Sequence, residues 1–243
     1  MIEAASPELE PMPEDWERAL AVVAHPDDME YGASSAVAGW TDAGKDVVYL
    51  LVTRGEAGID GMEPAEAAAM RGDEQRAACD AVGVRTLEFL DHPDGTVEYG
   101  LALRRDIATA IRRHRPDLVI TLNHRETFGP GALNMADHRV VGQATIDAVR
   151  DAANRWVFSD AGEAWHGVRW VAVSGSPQPT HAVDIADTFD RGVESLLAHR
   201  VYLEGLGGGP MADPAAFLRS MATGTGERAG GGGLATAFEL FPM

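Results

Sequence analysis

Four short apolar runs alternate with helix-like segments through the first half of the chain, and this alternation narrows the fold more than any other feature. Leu20-Ala21-Val22-Val23, Asp46 to Thr53, Thr86 to Leu90 and Asp117 to Leu122 each read as a buried strand. Between them, Gly32 to Ala38, Pro64 to Val82 and Leu101 to His114 read as helices. Pro64 opens the second helix and Gly83 follows its end, while Arg115-Pro116 stops the third. A βαβαβαβ order with continuously apolar strands predicts an α/β fold: a Rossmann-like, doubly wound, mostly parallel sheet with helices on both faces, in a single domain. That domain is expected over residues 17–243, with the acidic, proline-containing residues 1–16 as an N-terminal extension.

In open parallel sheets, ligands bind beyond the carboxyl ends of the strands. The first strand runs straight into Ala24-His25-Pro26-Asp27-Asp28, which sets an imidazole and two carboxylates at its tip. His25 and Asp28 are spaced to chelate one metal ion from a single turn, leaving Asp27 beside it. An aspartate there also serves as an ordinary helix cap, and the segment alone does not separate the two readings. Glu56 follows the second strand, Asp94 the third and His124 the fourth, so the strand ends converge on one cleft. Asp91, His92 and Asp94 equally suit a turn.

Two ligands from one turn do not close a metal site. Asn134-Met135-Ala136-Asp137-His138 supplies a third, because Asp137 starts a helix and places His138 in its first turn. The set His25, Asp28 and His138 is a two-histidine, one-carboxylate site for one ion per chain. Such a site suits zinc, and the same residue types also describe ferrous iron centres. His114 and His199 read as helix residues near a C-terminus, and His166 and His181 lack a partner at ligand spacing, so all four read as structural.

The formal net charge of -18 excludes nucleic acid and anionic membrane surfaces as partners, since a phosphate backbone would be repelled. A small-molecule substrate fits better, and a homo-oligomer stays open. Cys79 is the only cysteine, so no internal disulfide forms; its alanine-rich surroundings read as core. Met1 to Trp16 has neither the basic nor the apolar region of a signal peptide, which gives a cytoplasmic expectation. Beyond Phe158, Trp165 to Val173 and His181 to Ile185 read as strands and Ala186 to Leu206 as one helix. The glycine-rich stretches Gly205 to Gly209 and Gly224 to Gly233 read as flexible loops over the site mouth.

Taken with Met29-Glu30, the Thr53-Arg54-Gly55-Glu56-Ala57-Gly58 turn, Arg71, Glu74 and Asp137-His138-Arg139, the first motif resembles the zinc-dependent N-deacetylases of the LmbE-like, or PIG-L, group. The resemblance extends through Pro116 to Ile120 and the late helix from Arg191 to Arg200. It implies zinc on His25, Asp28 and His138, Asp27 as general base, and Arg71 and Asp94 on the sugar, with Glu56 grouped as a third substrate-binding residue. The implied reaction removes an acetyl group from an N-acetylglucosamine-like amino sugar. A metallo-amidase for a larger acyl group shares these features, and a non-catalytic carbohydrate-binding module is disfavoured because binding needs no unliganded Asp27. One departure stands out: the group often has histidine where this chain has Met135, and a thioether neither donates nor protonates. His124, at the head of a glycine-containing loop, is the expected substitute.

Overall fold

The computed structural model describes residues 8–207 and 213–243. The strands are β1 (Glu10–Pro11), β2 (Arg18–Val23), β3 (Asp46–Leu51), β4 (Thr86–Phe89), β5 (Leu118–Leu122), β6 (Thr127–Gly129), β7 (Ala132–Leu133), β8 (Trp170–Ser174), β9 (His181–Asp184) and β10 (Ala235–Pro242). The helices are α1 (Asp28–Gly32), α2 (Ser34–Asp42), α3 (Pro64–Ala81), α4 (Leu101–His114), α5 (Ala136–Ala153), α6 (Phe189–Leu197), α7 (Arg200–Gly205) and α8 (Pro214–Arg228). The four strands and the helices expected before residue 115 are all present.

Eight strands form one sheet in the order β1-β9-β10-β8-β5-β2-β3-β4. The β4-β3-β2-β5-β8 body is parallel, and β10 runs antiparallel between β8 and β9. Leu20 to Val23 and Leu118 to Ile120 are almost fully buried, as strands covered on both faces must be. Helices α2, α3 and α6 pack together as one layer, and α4 packs on α5 as the other. The chain moves outward from β2 to β4, then returns to β5 on the other side of β2. The strand order therefore switches direction between β2 and β5, where a crevice opens at their carboxyl ends.

Several expectations are corrected. Part of the segment read as an extension is tied to the sheet: Glu10 and Pro11 pair with His181 and Ala182, and Trp16 packs edge-on against Trp40 with ring centroids 5.2 Å apart. Apolar Leu9, Met12 and Trp16 are buried, which anchors the segment. The single helix expected over 186–206 is two, α6 and α7, because the chain breaks at His199 and turns that fully buried imidazole inward to within 3.6 Å of Glu30. The strand expected from Trp165 starts only at Trp170. Gly224 and Gly226 are not loop residues but lie inside α8. Gly226 is small because the helix passes close to the following turn: a Cβ there would stand 1.8 Å from the Gly233 carbonyl oxygen. Of the other glycine-rich stretch, Gly208 and Gly209 lie outside the described residues.

Candidate active site

The crevice between β2 and β5 is built by three local decisions of the chain. Pro26 ends β2, and Asp27 takes the left-handed conformation at φ 91°, sparsely populated for a non-glycine residue. Asp28 then opens α1 and folds its carboxylate back, accepting the His25 backbone N–H at 2.7 Å. From the other side of the switch, α5 projects His138 out of its first turn.

These pieces meet. His138 Nε2 lies 3.0 Å from Asp28 Oδ1, and His25 Nδ1 lies 3.7 Å from Asp28 Oδ2. The three ligand atoms sit within 4.8 Å of one another. Four-coordinate zinc with bonds of about 2.1 Å holds its ligand atoms roughly 3.4 Å apart, so the donor set fits a divalent ion.

Each imidazole is oriented from behind. His25 Nε2 lies 3.0 Å from Asp94 Oδ1 and 3.3 Å from Asp137 Oδ2. Asp137 accepts the Gly95 and Val97 N–H groups at 2.7 and 3.2 Å, and Asp94 Oδ2 accepts the Ala57 N–H at 2.7 Å. These carboxylates have no proton to give, so His25 Nε2 carries the hydrogen and Nδ1 faces Asp28. His25, Asp94 and Asp137 form a second group of potential ligands, but their backbone hydrogen bonds mark the two carboxylates as supports for His25. His138 Nδ1 faces Asn134 Oδ1 at 3.2 Å, which frees Nε2. Asn134 is buried and fixed in turn by its Nδ2, which donates to the carbonyls of Asn123 and Arg125 at 2.6 and 2.9 Å. Burial works against a charged His25, yet Asp137, Asp28 and Asp94 outweigh it and raise the imidazole well above its usual range. Burial also opposes the Asp28 carboxylate, but His138 and His25 overcome that and hold its pKa below the usual range.

Asp27 stands apart from the three ligands. Its Oδ2 is 3.1 Å from Arg71 Nη2, and its N–H donates to Gln75 Oε1 at 3.0 Å. Burial pushes its carboxyl up to about 6, with the Arg71 charge pulling the other way. Arg71, expected on the sugar, is itself 2% exposed; its guanidinium donates to the carbonyls of Gly55 at 3.1 Å and Pro26 at 2.6 Å. Tyr202 covers it, with the guanidinium carbon 4.2 Å from the ring centroid. Gly55 is required here, at φ 66° and because a Cβ there would stand only 2.3 Å from Arg71 Nη1. Burial first and the Asp27 charge second raise the Tyr202 hydroxyl, which keeps it a donor at neutral pH.

The other expected residues fall around this centre. Glu56 accepts the Asp94 N–H at 2.9 Å and the Arg54 N–H at 3.2 Å, tying the ends of β3 and β4 together. His124 is half-buried and packs beside Gly142 of α5, and its Nδ1 is buried without a hydrogen-bond partner. Burial and the nearby Arg125 lower its pKa. Met135 is exposed at the start of α5. Sequence reasoning missed Tyr202, Gln75 and Asn134, and took Asp137 only as a helix starter. Its position next to His138 was the one available signal.

Residues 20–149 match the family described as GlcNAc-PI de-N-acetylase, PIG-L. The chain belongs to the PIG-L family. It is 31% identical over 193 residues to the diacetylchitobiose deacetylase of Thermococcus kodakarensis, covering 76% of this chain and 70% of that one. It is 32% identical over 169 residues to the 1D-myo-inositol 2-acetamido-2-deoxy-alpha-D-glucopyranoside deacetylase of Kineococcus radiotolerans, covering 56% of this chain and 45% of that one. The fold is shared with the N,N'-diacetylchitobiose deacetylase of Pyrococcus horikoshii, at a TM-score of 0.84 and 22% identity over 94% of this chain and 85% of that one.

Proposed function

We propose that this PIG-L protein is a metal-dependent hydrolase that removes the N-acetyl group from an N-acetylglucosamine-like amino sugar. The observation that carries the reading is Asp27: a buried carboxylate beside the His25, Asp28 and His138 cluster, outside it, and tuned upward to about 6. Metal binding alone has no use for such a group. A general base poised near the working pH does. The deacetylases among the relatives support acetamido sugars as the substrate class.

A divalent ion on the three ligands, zinc or ferrous iron, would supply Lewis acidity that makes water nucleophilic near neutral pH and polarises the amide carbonyl. Asp27 takes the proton from the attacking water, and Arg71 holds Asp27 in place. Asp94, after β4, orients His25 rather than the sugar, and Glu56, after β3, borders the place for the sugar and braces Asp94 through its backbone N–H. The donor to the developing oxyanion or departing amine is Tyr202 or His124; Tyr202 is favoured because its ring lies over Arg71, the partner of Asp27, whereas His124 packs beside α5. Among the described residues, no helix is long and apolar enough to cross a membrane.

The test is acetate release by metal-replete protein from a panel of N-acetylated amino sugars: the monosaccharide, a chitobiose, and inositol-linked and malate-linked conjugates. Turnover of at least one substrate is expected, reduced about 10²- to 10⁴-fold in kcat by Asp27→Asn with the metal retained. Full activity in that variant would move the base elsewhere.

A further inference from the structure

Asp27 and Asp28 are neighbours of the same chemistry, yet only Asp28 joins His25 and His138 in the group of potential ligands. The backbone separates them. Asp27 holds φ at 91°, in the left-handed region, while Asp28 already opens α1. A residue other than glycine keeps that conformation only where its surroundings over-determine it. The Asp27 N–H lies past the end of the β2 ladder and donates instead to a side chain, Gln75 Oε1, at 3.0 Å.

Helix α3 supplies the hold. Arg71 and Gln75 are four residues apart and so share one face of it. Arg71 Nη2 donates to the Pro26 carbonyl at 2.6 Å and to the Asp27 carboxylate at 3.1 Å, while Gln75 takes the N–H between them. The arginine grips the charge and the glutamine grips the backbone. Glu30 then sets which way the Gln75 amide points. Gln75 Nε2 donates to Glu30 Oε1 at 3.1 Å and to Cys79 Sγ at 3.9 Å. A carboxylate offers only acceptors, so the amide turns its NH₂ to Glu30 and its carbonyl to Asp27.

Glu30 is itself fixed. Ser34 Oγ donates to its Oε1 at 3.3 Å, Ser195 Oγ lies 3.3 Å from the same oxygen, and the fully buried His199 brings Nε2 to 3.6 Å from Oε2. Gln75 is 1% and Glu30 2% exposed, so no bulk water stands ready to replace a lost partner. We propose that Gln75 is a positioning residue for Asp27: oriented by Glu30, its amide locks the left-handed turn that keeps the Asp27 carboxylate out of the ligand set and available as the base. The role of base rests on the amidohydrolase reading above. Without the Gln75 carbonyl, the turn relaxes toward ordinary backbone and carries the carboxylate off its place, although Arg71 still pairs with it.

The test is Gln75→Met, close to glutamine in size but with no acceptor for the Asp27 N–H. On an N-acetylated sugar that the parent turns over, kcat is expected to fall about 10- to 100-fold, with KM and divalent-ion affinity each within about threefold of the parent, as for a lost orienting partner. A kcat equal to the parent's overturns the assignment. So does a loss that metal affinity follows in step, because Gln75 would then support Asp28 as much as Asp27. A swap separates the role from mere packing: Gln75→Glu sets two carboxylates against each other and should lose at least as much, and adding Glu30→Gln puts an amide opposite a carboxylate again, with an acceptor still on the Asp27 N–H. The double variant should recover most of the lost kcat. A double variant no more active than Gln75→Glu overturns the proposal, and this pair decides alone should Gln75→Met not fold. Amide hydrogen exchange reads the clamp without any substrate. The Asp27 N–H of Gln75→Met protein is expected to exchange at least about tenfold faster than in the parent, while the His25 N–H, held by Asp28 Oδ2, keeps its rate. Equal Asp27 rates in the two proteins overturn the clamp. If the parent cleaves no N-acetyl sugar and the Asp27 rates still differ, the amidohydrolase reading fails and the clamp stands as the device that keeps Asp27 out of the ligand set.

Discussion

Arg71 and Asp27 form a buried ion pair, Nη2 to Oδ2 at 3.1 Å, with both side chains under a tenth exposed. The proposed base is thus held by a cation that also lowers its proton affinity, against the burial that raises it to about 6. A base acts unprotonated, so kcat/KM falls as pH drops through the Asp27 pKa. Removing the Arg71 charge lets burial raise that pKa further. Arg71→Met is therefore expected to shift the acid limb of the kcat/KM profile to higher pH and to lower kcat. An unchanged limb with only KM raised would return Arg71 to sugar binding.

The proposed metal site predicts a graded response. His25→Ala and His138→Ala should abolish tight binding of a divalent ion, measured by competition with a chromophoric chelator. Asn134→Ala and Asp137→Asn touch only the far nitrogens of those imidazoles and should weaken affinity by about 10- to 100-fold without emptying the site, the usual cost of losing an orienting partner. Full metal occupancy in both histidine variants would remove the ligand assignment.

In the proposed reaction Met135 has no donor to offer, so either the metal carries the second half unaided or another side chain, Tyr202 or His124, donates. Tyr202→Phe is expected to cost on the order of 10²-fold in kcat with metal content unchanged, typical for a lost donor to an oxyanion. His124→Ala should cost less, because His124 packs beside α5 and its buried Nδ1 has no hydrogen-bond partner. The reverse order of losses, read from steady-state kinetics, would make His124 the donor.

Arg112 is a structural counterpart, 4% exposed, whose guanidinium donates to five carbonyls from Asp151 to Phe158 at the end of α5. Arg112→Met removes every donor at once. Part of the loss is recovered by water, so about 3 kcal/mol is expected. For a chain of this size that lowers Tm by roughly 6–12 °C, measurable by calorimetry. A Tm within a degree of the parent would show that those carbonyls need no protein donor.

The elements legible in the sequence were those with local causes. Apolar runs such as Leu20 to Val23 announce strands buried on both faces, and Pro64 and Gly83 mark both ends of α3. His25 and Asp28 were legible because four residues of one turn carry them, and His138 because it opens a helix. The third of the chain after Phe158 was not. The break at His199 follows from a contact with Glu30, 169 positions earlier, and Gly226 is explained only by the backbone of Gly233 across a turn.

The order of elements determined the parallel sheet, its switch point beside β2, and therefore the location of the candidate site, because a right-handed crossover leaves few other topologies for such a pattern. The partners of Arg71, Asp94 and Asp137 were decided only by tertiary structure. Each was visible as a charged residue near the cleft, but a charge in sequence does not say what it faces. Folding turned Arg71 onto Asp27 and Asp94 and Asp137 onto His25, since ionised groups removed from water must find partners, and those partners came from different strand ends.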